Sequence, residues 1–145
     1  MTANEMWERF ITEKGTDAAQ HDAWAFGDDA DMLAELVVRG IKTATSSAYA
    51  LYELEGKELP EAGEYSVILN SQDEAVCIIK TTKVFAVPFN EVMEEHAYAE
   101  GEGDRSLDYW RHVHEQFFTE ELAQAGLEFT EKMKVVCEEF EVVYK

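Results

Sequence analysis

Arg39-Gly40-Ile41-Lys42-Thr43-Ala44-Thr45 is the stretch on which the reading of this chain turns. Upstream of it, Asp28 and Asp29 are N-cap candidates, and Met32, Leu33, Leu36 and Val37 recur at helical spacing. Gly40 suits the left-handed position that ends such a helix. Beyond it, Lys42 to Ser46 is rich in β-branched and hydroxyl side chains and predicts a short strand. The junction sets glycine, lysine and threonine at the spacing G-x-K-x-x-T. Only 12 of 145 residues are Lys or Arg and the net charge is −19, so a lysine beside a row of hydroxyls is a candidate for chemistry.

On the N-terminal side, Asn4 to Lys14 predicts an amphipathic helix through Met6, Trp7, Phe10 and Ile11, with Gly15 after it. A polar connection leads from there to Trp24-Ala25-Phe26-Gly27. On the C-terminal side, Ala48 to Glu55 predicts a helical turn or two, and Pro60-Glu61-Ala62-Gly63 a turn. Tyr65 to Asn70 and Ala75 to Val87 predict two strands joined as a hairpin at Ser71-Gln72-Asp73-Glu74. Asn90 is placed to cap a helix running to about Glu100, which Gly101 and Gly103 break. Ser106 caps a further helix over Leu107 to Ala123, and Lys134 to Tyr144 closes the chain as a long strand. The expectation is one α+β domain over residues 1–145, with 1–22 as an N-terminal helical extension.

The composition bounds the partners. A surface bearing 31 Asp and Glu repels a long polyanion, because proteins that track nucleic-acid backbones neutralise phosphates with Lys and Arg. No apolar run approaches the roughly 20 residues that span a bilayer. Glu5, Glu8 and Glu13 stand where a secretory segment would be basic and then apolar. Cys77 and Cys137 are isolated in apolar runs and form no disulfide framework. These features predict a cytoplasmic protein with a small or neutral ligand and no membrane partner.

Several side chains are candidates for a site. A lysine with a depressed pKa can activate a hydroxyl nucleophile, which nominates Lys42 and Thr45. Glu100, Glu102 and Asp104 alternate in a glycine-flanked loop. An EF-hand reading of them fails, since the required glycine and glutamate positions hold Arg105 and Arg111, and no metal is expected. Trp110 and His114 are i, i+4 neighbours, with Leu107, Trp110 and Phe117 as the buried stripe. Arg111 follows Asp104 and Asp108, which points to an ion pair. His112 and His114 lie on different helix faces and are no metal pair. In the last strand, alternation puts Val136, Glu138, Phe140, Val142 and Tyr144 on one face. A carboxylate on that apolar face must meet a cation such as Lys42 or Arg111, or border a polar cleft at a twist or bulge.

Taken together, Trp24-x-Phe26-Gly27, Gly40-x-Lys42-x-x-Thr45, Pro60-x-x-Gly63, the strand Val76 to Thr82, Glu100-Gly101-Glu102-Gly103-Asp104 and Trp110-Arg111-x-x-His114 resemble the ASCH family. The resemblance implies a small β-barrel surrounded by helices, like the PUA RNA-binding domain, with a cleft beside the lysine motif. The family motif continues to an arginine, where this chain has Ser47. One branch, described as N4-acetylcytidine amidohydrolases, uses a lysine, a threonine and a glutamate. The resemblance implies Lys42 as base, Thr45 as nucleophile and Glu100 as the carboxylate that orients the amide or relays protons. His96 stands four positions before Glu100, as in that branch, and Glu102 is the competing choice. Hydrolysis of an amide on a small modified nucleoside, without a cofactor, is thus the expected function. Trp24, Glu102, Asp104, Arg111, His114 and Glu138 are the expected substrate-binding residues. The alternatives are an RNA- or nucleotide-binding module, in which Lys42 and Arg111 contact phosphate while Trp24, Tyr98 or Trp110 stacks on a base, and a ribonuclease acting on short single-stranded RNA.

Overall fold

The computed structural model describes residues 1–15 and 20–145, so part of the predicted polar connection lies outside the described residues. Helix α1 spans Ala3–Lys14 and opens with a capping box between Thr2 and Glu5. Strand β1 (Asp22–Ala25) precedes α2 (Ala30–Val38), whose cap Asp29 accepts from the Met32 N–H at 3.3 Å. Then come β2 (Ala44–Ala48), α3 (Tyr49–Glu55), β3 (Tyr65–Leu69) and β4 (Ala75–Pro88). A 3₁₀ turn at Phe89–Glu91 leads to α4 (Glu94–Glu100), α5 (Leu107–Gln124) and β5 (Lys134–Tyr144).

The strands form one curled sheet in the order β1-β3-β4-β5-β2, so β1 and β2 are its two edges. Among the described residues only β1 and β3 pair in parallel; the other pairings are antiparallel. Helices cover both faces, as neighbouring residues of β3 show. Val67 packs with Met6, Trp7 and Phe10 of α1, whereas Ile68 packs with Leu33 and Val37 of α2. A third cluster sets Trp110, Phe118 and Leu122 of α5 against Val135 and Cys137 of β5. Burying such large apolar side chains contributes roughly 1.5–3 kcal/mol each.

Three expectations are corrected. The strand after Gly40 begins at Ala44, two residues late, because the Ile41 and Lys42 N–H groups still bond to the Leu36 carbonyl. Asn90 caps no helix. Phe89 and Val92 are buried instead, and the chain stays extended at Val92 and Met93 before α4 starts at Glu94. Tyr144 leaves the face of Phe140 and Val142, since the register shifts so that Ile79 meets Val142 while Ile78 meets Tyr144. This bulge carries Tyr144 over to the α1 cluster.

Candidate active site

The end of α2 builds the first wall. Gly40, at φ 76°, turns the chain so that Lys42 points inward with 1% of its surface exposed. Its Nζ donates to Glu102 Oε2 at 2.9 Å, Glu100 Oε1 at 3.2 Å and the Glu100 carbonyl at 3.4 Å. Glu100 is the last residue of α4 and Glu102 follows in the loop after it, where Gly101 adopts φ 74°. A Cβ built there would stand 2.5 Å from the Ile41 carbonyl oxygen, so only glycine lets this loop close over the lysine.

Glu100 is also 1% exposed and is held by donors on both oxygens. Oε2 accepts from Trp110 Nε1 at 2.6 Å, meets His96 Nε2 at 2.9 Å, and takes the hydroxyl of Ser46. Ser46 Oγ in turn lies 2.8 Å from His96 Nε2. Burial alone would raise the Glu100 pKa, but Lys42, His114 and His96 hold it well below the ordinary carboxylate value. His114 stacks on Trp110 at 4.3 Å between centroids, and its Nδ1 bonds the Trp110 carbonyl at 2.9 Å. That leaves Nε2 facing Glu100 Oε1 at 3.5 Å. Burial pushes His114 down, yet the charge and hydrogen bond of Glu100, the charge of Glu102 and the Trp110 carbonyl together outweigh it, and the net shift is upward.

This cluster forms one wall of a niche of about 70 Å³, lined also by Phe26, Thr45 and Phe117. The niche opens into a cleft of about 850 Å³ that shares Phe26, Thr45, Ser46 and Phe117 with it. The cleft lies between the two sheet edges, with Trp24 of β1 on one side and Thr45 and Ser47 of β2 on the other. Ser66, Thr81 and Glu138 also line it. Register explains their company, because Glu138 is the direct partner of Thr45, and Thr81 and Ser66 face Phe140 and Ile79. The Glu138 carboxyl makes no hydrogen bond among the described residues. Burial, and then the charge of Glu64, push its carboxyl up to about 7.

Of the residues nominated from sequence, Lys42, Thr45, Glu100, Glu102 and His114 meet in the niche, and Trp24 and Glu138 line the cleft. Lys42 and Thr45 share the niche without a hydrogen bond between them. Asp104 lies outside both and accepts from the Ser106 N–H at 2.9 Å at the start of α5. Arg111 makes no ion pair with Asp104 or Asp108. Its guanidinium bonds the Asn90 carbonyl at 3.2 Å and the Val92 carbonyl at 3.5 Å, because those carbonyls have no helix partner where the predicted α4 start is absent. Ser47, at the motif's arginine position, bonds the Tyr52 hydroxyl at 2.8 Å and lines the cleft. Ser46 was not nominated; on a strand beside a nominated threonine, nothing in its neighbours marks it, and only the approach of α4 brings its hydroxyl to His96 and Glu100. Ligand atoms of Glu100, Glu102 and His114 lie within 4.8 Å of one another, a spacing that could hold a metal, but Lys42 Nζ already sets a cation against both carboxylates.

The model of the ASCH domain matches residues 22–144. This chain belongs to the ASCH family. An ASCH domain from Lactobacillus crispatus JV V101 superposes with a TM-score of 0.91 at 32% identity, covering 98% of this chain and 94% of that one. Protein EF3133 from Enterococcus faecalis V583 superposes with a TM-score of 0.90 at 43% identity, covering 97% and 87%. Hypothetical protein PH0355, at 17% identity and a TM-score of 0.59 over 86% and 100%, shares the fold. No curated protein matches the chain in sequence. The expected α+β, PUA-like architecture is therefore that of this ASCH domain. No helix among the described residues is long and apolar enough to cross a membrane.

Proposed function

We propose that this ASCH domain hydrolyses an amide on a small modified nucleoside such as N4-acetylcytidine, with Thr45 as nucleophile and Lys42 and Glu100 as the charged pair that serves it. The observation that carries this reading is the place of Thr45. Its side chain sits where an aromatic-walled cleft, large enough for a nucleoside, narrows into a niche holding a buried ion pair. Amide hydrolysis needs a nucleophile, a donor for the developing oxyanion and a base.

The geometry favours Lys42 as the donor, a different division of labour from the one the resemblance implies. Each of its contacts is an acceptor, and the longest, 3.4 Å to the Glu100 carbonyl, is the one a substrate oxygen can take over. A second donor follows from strand pairing. Phe140 N–H bonds the Thr43 carbonyl at 3.0 Å, so the alternation makes Thr45 and Glu138 the next hydrogen-bonded pair. The intervening Ser46 then turns its N–H away from β5, towards the open edge. Glu100, with both oxygens engaged, fixes Lys42.

The cleft lining argues against phosphate tracking. Glu58, Glu61, Glu64, Glu121 and Glu138 face it against the single cation Lys57. The test is incubation with N4-acetylcytidine and chromatographic detection of cytidine. Wild type is expected to release it, and Thr45→Ala and Lys42→Ala to lower turnover by roughly 10²-fold or more. A folded wild-type protein that releases no cytidine rejects the reading.

A further inference from the structure

We propose that Glu138 is the general base of this site, taking the proton of the Thr45 hydroxyl directly or through one water. The inference rests on the amide-hydrolysis reading and names the group that reading leaves open. Lys42 is committed to Glu100 and Glu102, and Glu100 accepts from Ser46, His96 and Trp110 on one oxygen and faces Lys42 and His114 with the other. Neither has a free acceptor for a new proton.

Glu138 does. Directly opposite residues of an antiparallel pair hold their Cβ atoms about 4.5–5.5 Å apart on the same face. Thr45 and Glu138 are such a pair; both line the cleft, and Thr45 also lines the niche. The Glu138 carboxyl has no hydrogen-bond partner among the described residues. On the same floor Thr81, 4% exposed, also has a hydroxyl with no such partner. The charged and titratable groups facing Glu138 are Asp22 of β1, Tyr52 of α3, Lys57 and Glu58 after it, Glu61 and Glu64 before β3, and Glu121 of α5. Burial, and then the charge of Glu64, keep the Glu138 carboxyl near 7, a suitable value for a base at neutral pH.

The step balances without a cofactor. Thr45 Oγ1 bonds to the acyl carbon as its proton passes to Glu138. The tetrahedral adduct collapses, the C–N bond breaks, and the proton moves from Glu138 to the departing amine. A water then gives a proton to Glu138 and attacks the Thr45 ester. The C–Oγ1 bond breaks, the proton returns to Thr45, and the carboxylic acid leaves.

The experiment uses two acyl donors, N4-acetylcytidine and 4-nitrophenyl acetate, with wild type, Glu138→Gln, Glu64→Gln and Thr45→Ala. With wild type, kcat/KM is expected to rise with pH through about 7 and then level. Glu138→Gln is expected to abolish that limb and lower kcat/KM at pH 8 by roughly 10²-fold or more. Glu64→Gln, a change on the exposed rim, is expected to move the limb to lower pH while keeping the plateau. Should Glu138→Gln retain the wild-type rate and pH limb, or Glu64→Gln leave the limb in place, Glu138 is not the base. If N4-acetylcytidine is inert but the ester acylates Thr45 in a Glu138-dependent way, the substrate reading fails and the base assignment stands. If neither donor reacts with folded wild type, both fail.

Discussion

Glu100 and Glu138 are both buried carboxylates, and their surroundings drive them in opposite directions. Glu100 is compensated by Lys42, two imidazoles and an indole N–H, so its charge is the stable form. Its depressed pKa means that this stabilisation is present above the unfolded value of about 4.5 and is lost as pH falls through the folded one. His114, shifted upward, contributes stability below its unfolded value of 6.5 and loses it as pH rises through the folded value. Glu138 has no such partners. Its folded pKa of about 7 lies above the unfolded 4.5, so its contribution is complete below 4.5 and declines up to 7. Chemical denaturation should therefore find Glu138→Gln more stable than wild type at pH 8, with the gap closing as pH falls towards 4.5. An equal stability of the two at pH 8 would show that the carboxyl is not strained by burial. A variant that gains stability while losing turnover is what the proposed role of Glu138 as a buried base predicts.

Among the elements, the loop after α4 is the one with least freedom. Gly101→Ala would force a left-handed φ on a Cβ that meets the Ile41 backbone, with no flexible side chain able to move aside. The expected cost is about 1–3 kcal/mol in unfolding free energy. Turnover should fall as well, since Glu100 and Glu102 flank that glycine. Gly40→Ala, equally left-handed but with open space around its Cβ, is the control that should cost less. The sequence made the long elements plain. Helices α1, α2 and α5 and strands β3, β4 and β5 follow their apolar periods and caps closely. It did not reveal β1, whose four residues, Asp22–Ala25, are mostly exposed and include no β-branched side chain. Only the parallel seam on β3 makes them a strand. Asn90 misled because a good capping residue there competes with burial of Phe89 and Val92, and burial wins. Lys42, Thr45 and Glu100, nominated through the lysine motif and the family resemblance, lie together around the niche. Ser46 was hidden because its contacts depend on α4, fifty residues further on. Arg111 looked like an ion-pair partner, yet backbone carbonyls claim its guanidinium.

Over the whole molecule, a net charge of −19 is a self-repulsion that the compact state must carry. Added salt screens it, with a Debye length falling from about 30 Å at 0.01 M to about 3 Å at 1 M. Calorimetry should therefore record a Tm that rises by several degrees between about 0.02 and 0.5 M NaCl. A Tm that falls over that range would mean that favourable exposed pairs outweigh the surface repulsion, because the buried pairs around Lys42 are screened far less. Glu138→Gln should shift Tm alike at every salt concentration, since its penalty is mainly one of burial.

The strand order carries one more consequence, for the time course of folding. β5 lies between β4 and β2, so Thr45 meets Glu138 only after nearly the whole intervening chain has been gathered. The β3–β4 hairpin can close early over its five-residue connection, whereas the β2–β5 contact closes a very long loop and should come late. Refolding intermediates would then carry much of the native strand content while lacking any cleft, and the capacity to bind ligand would return as the last kinetic phase.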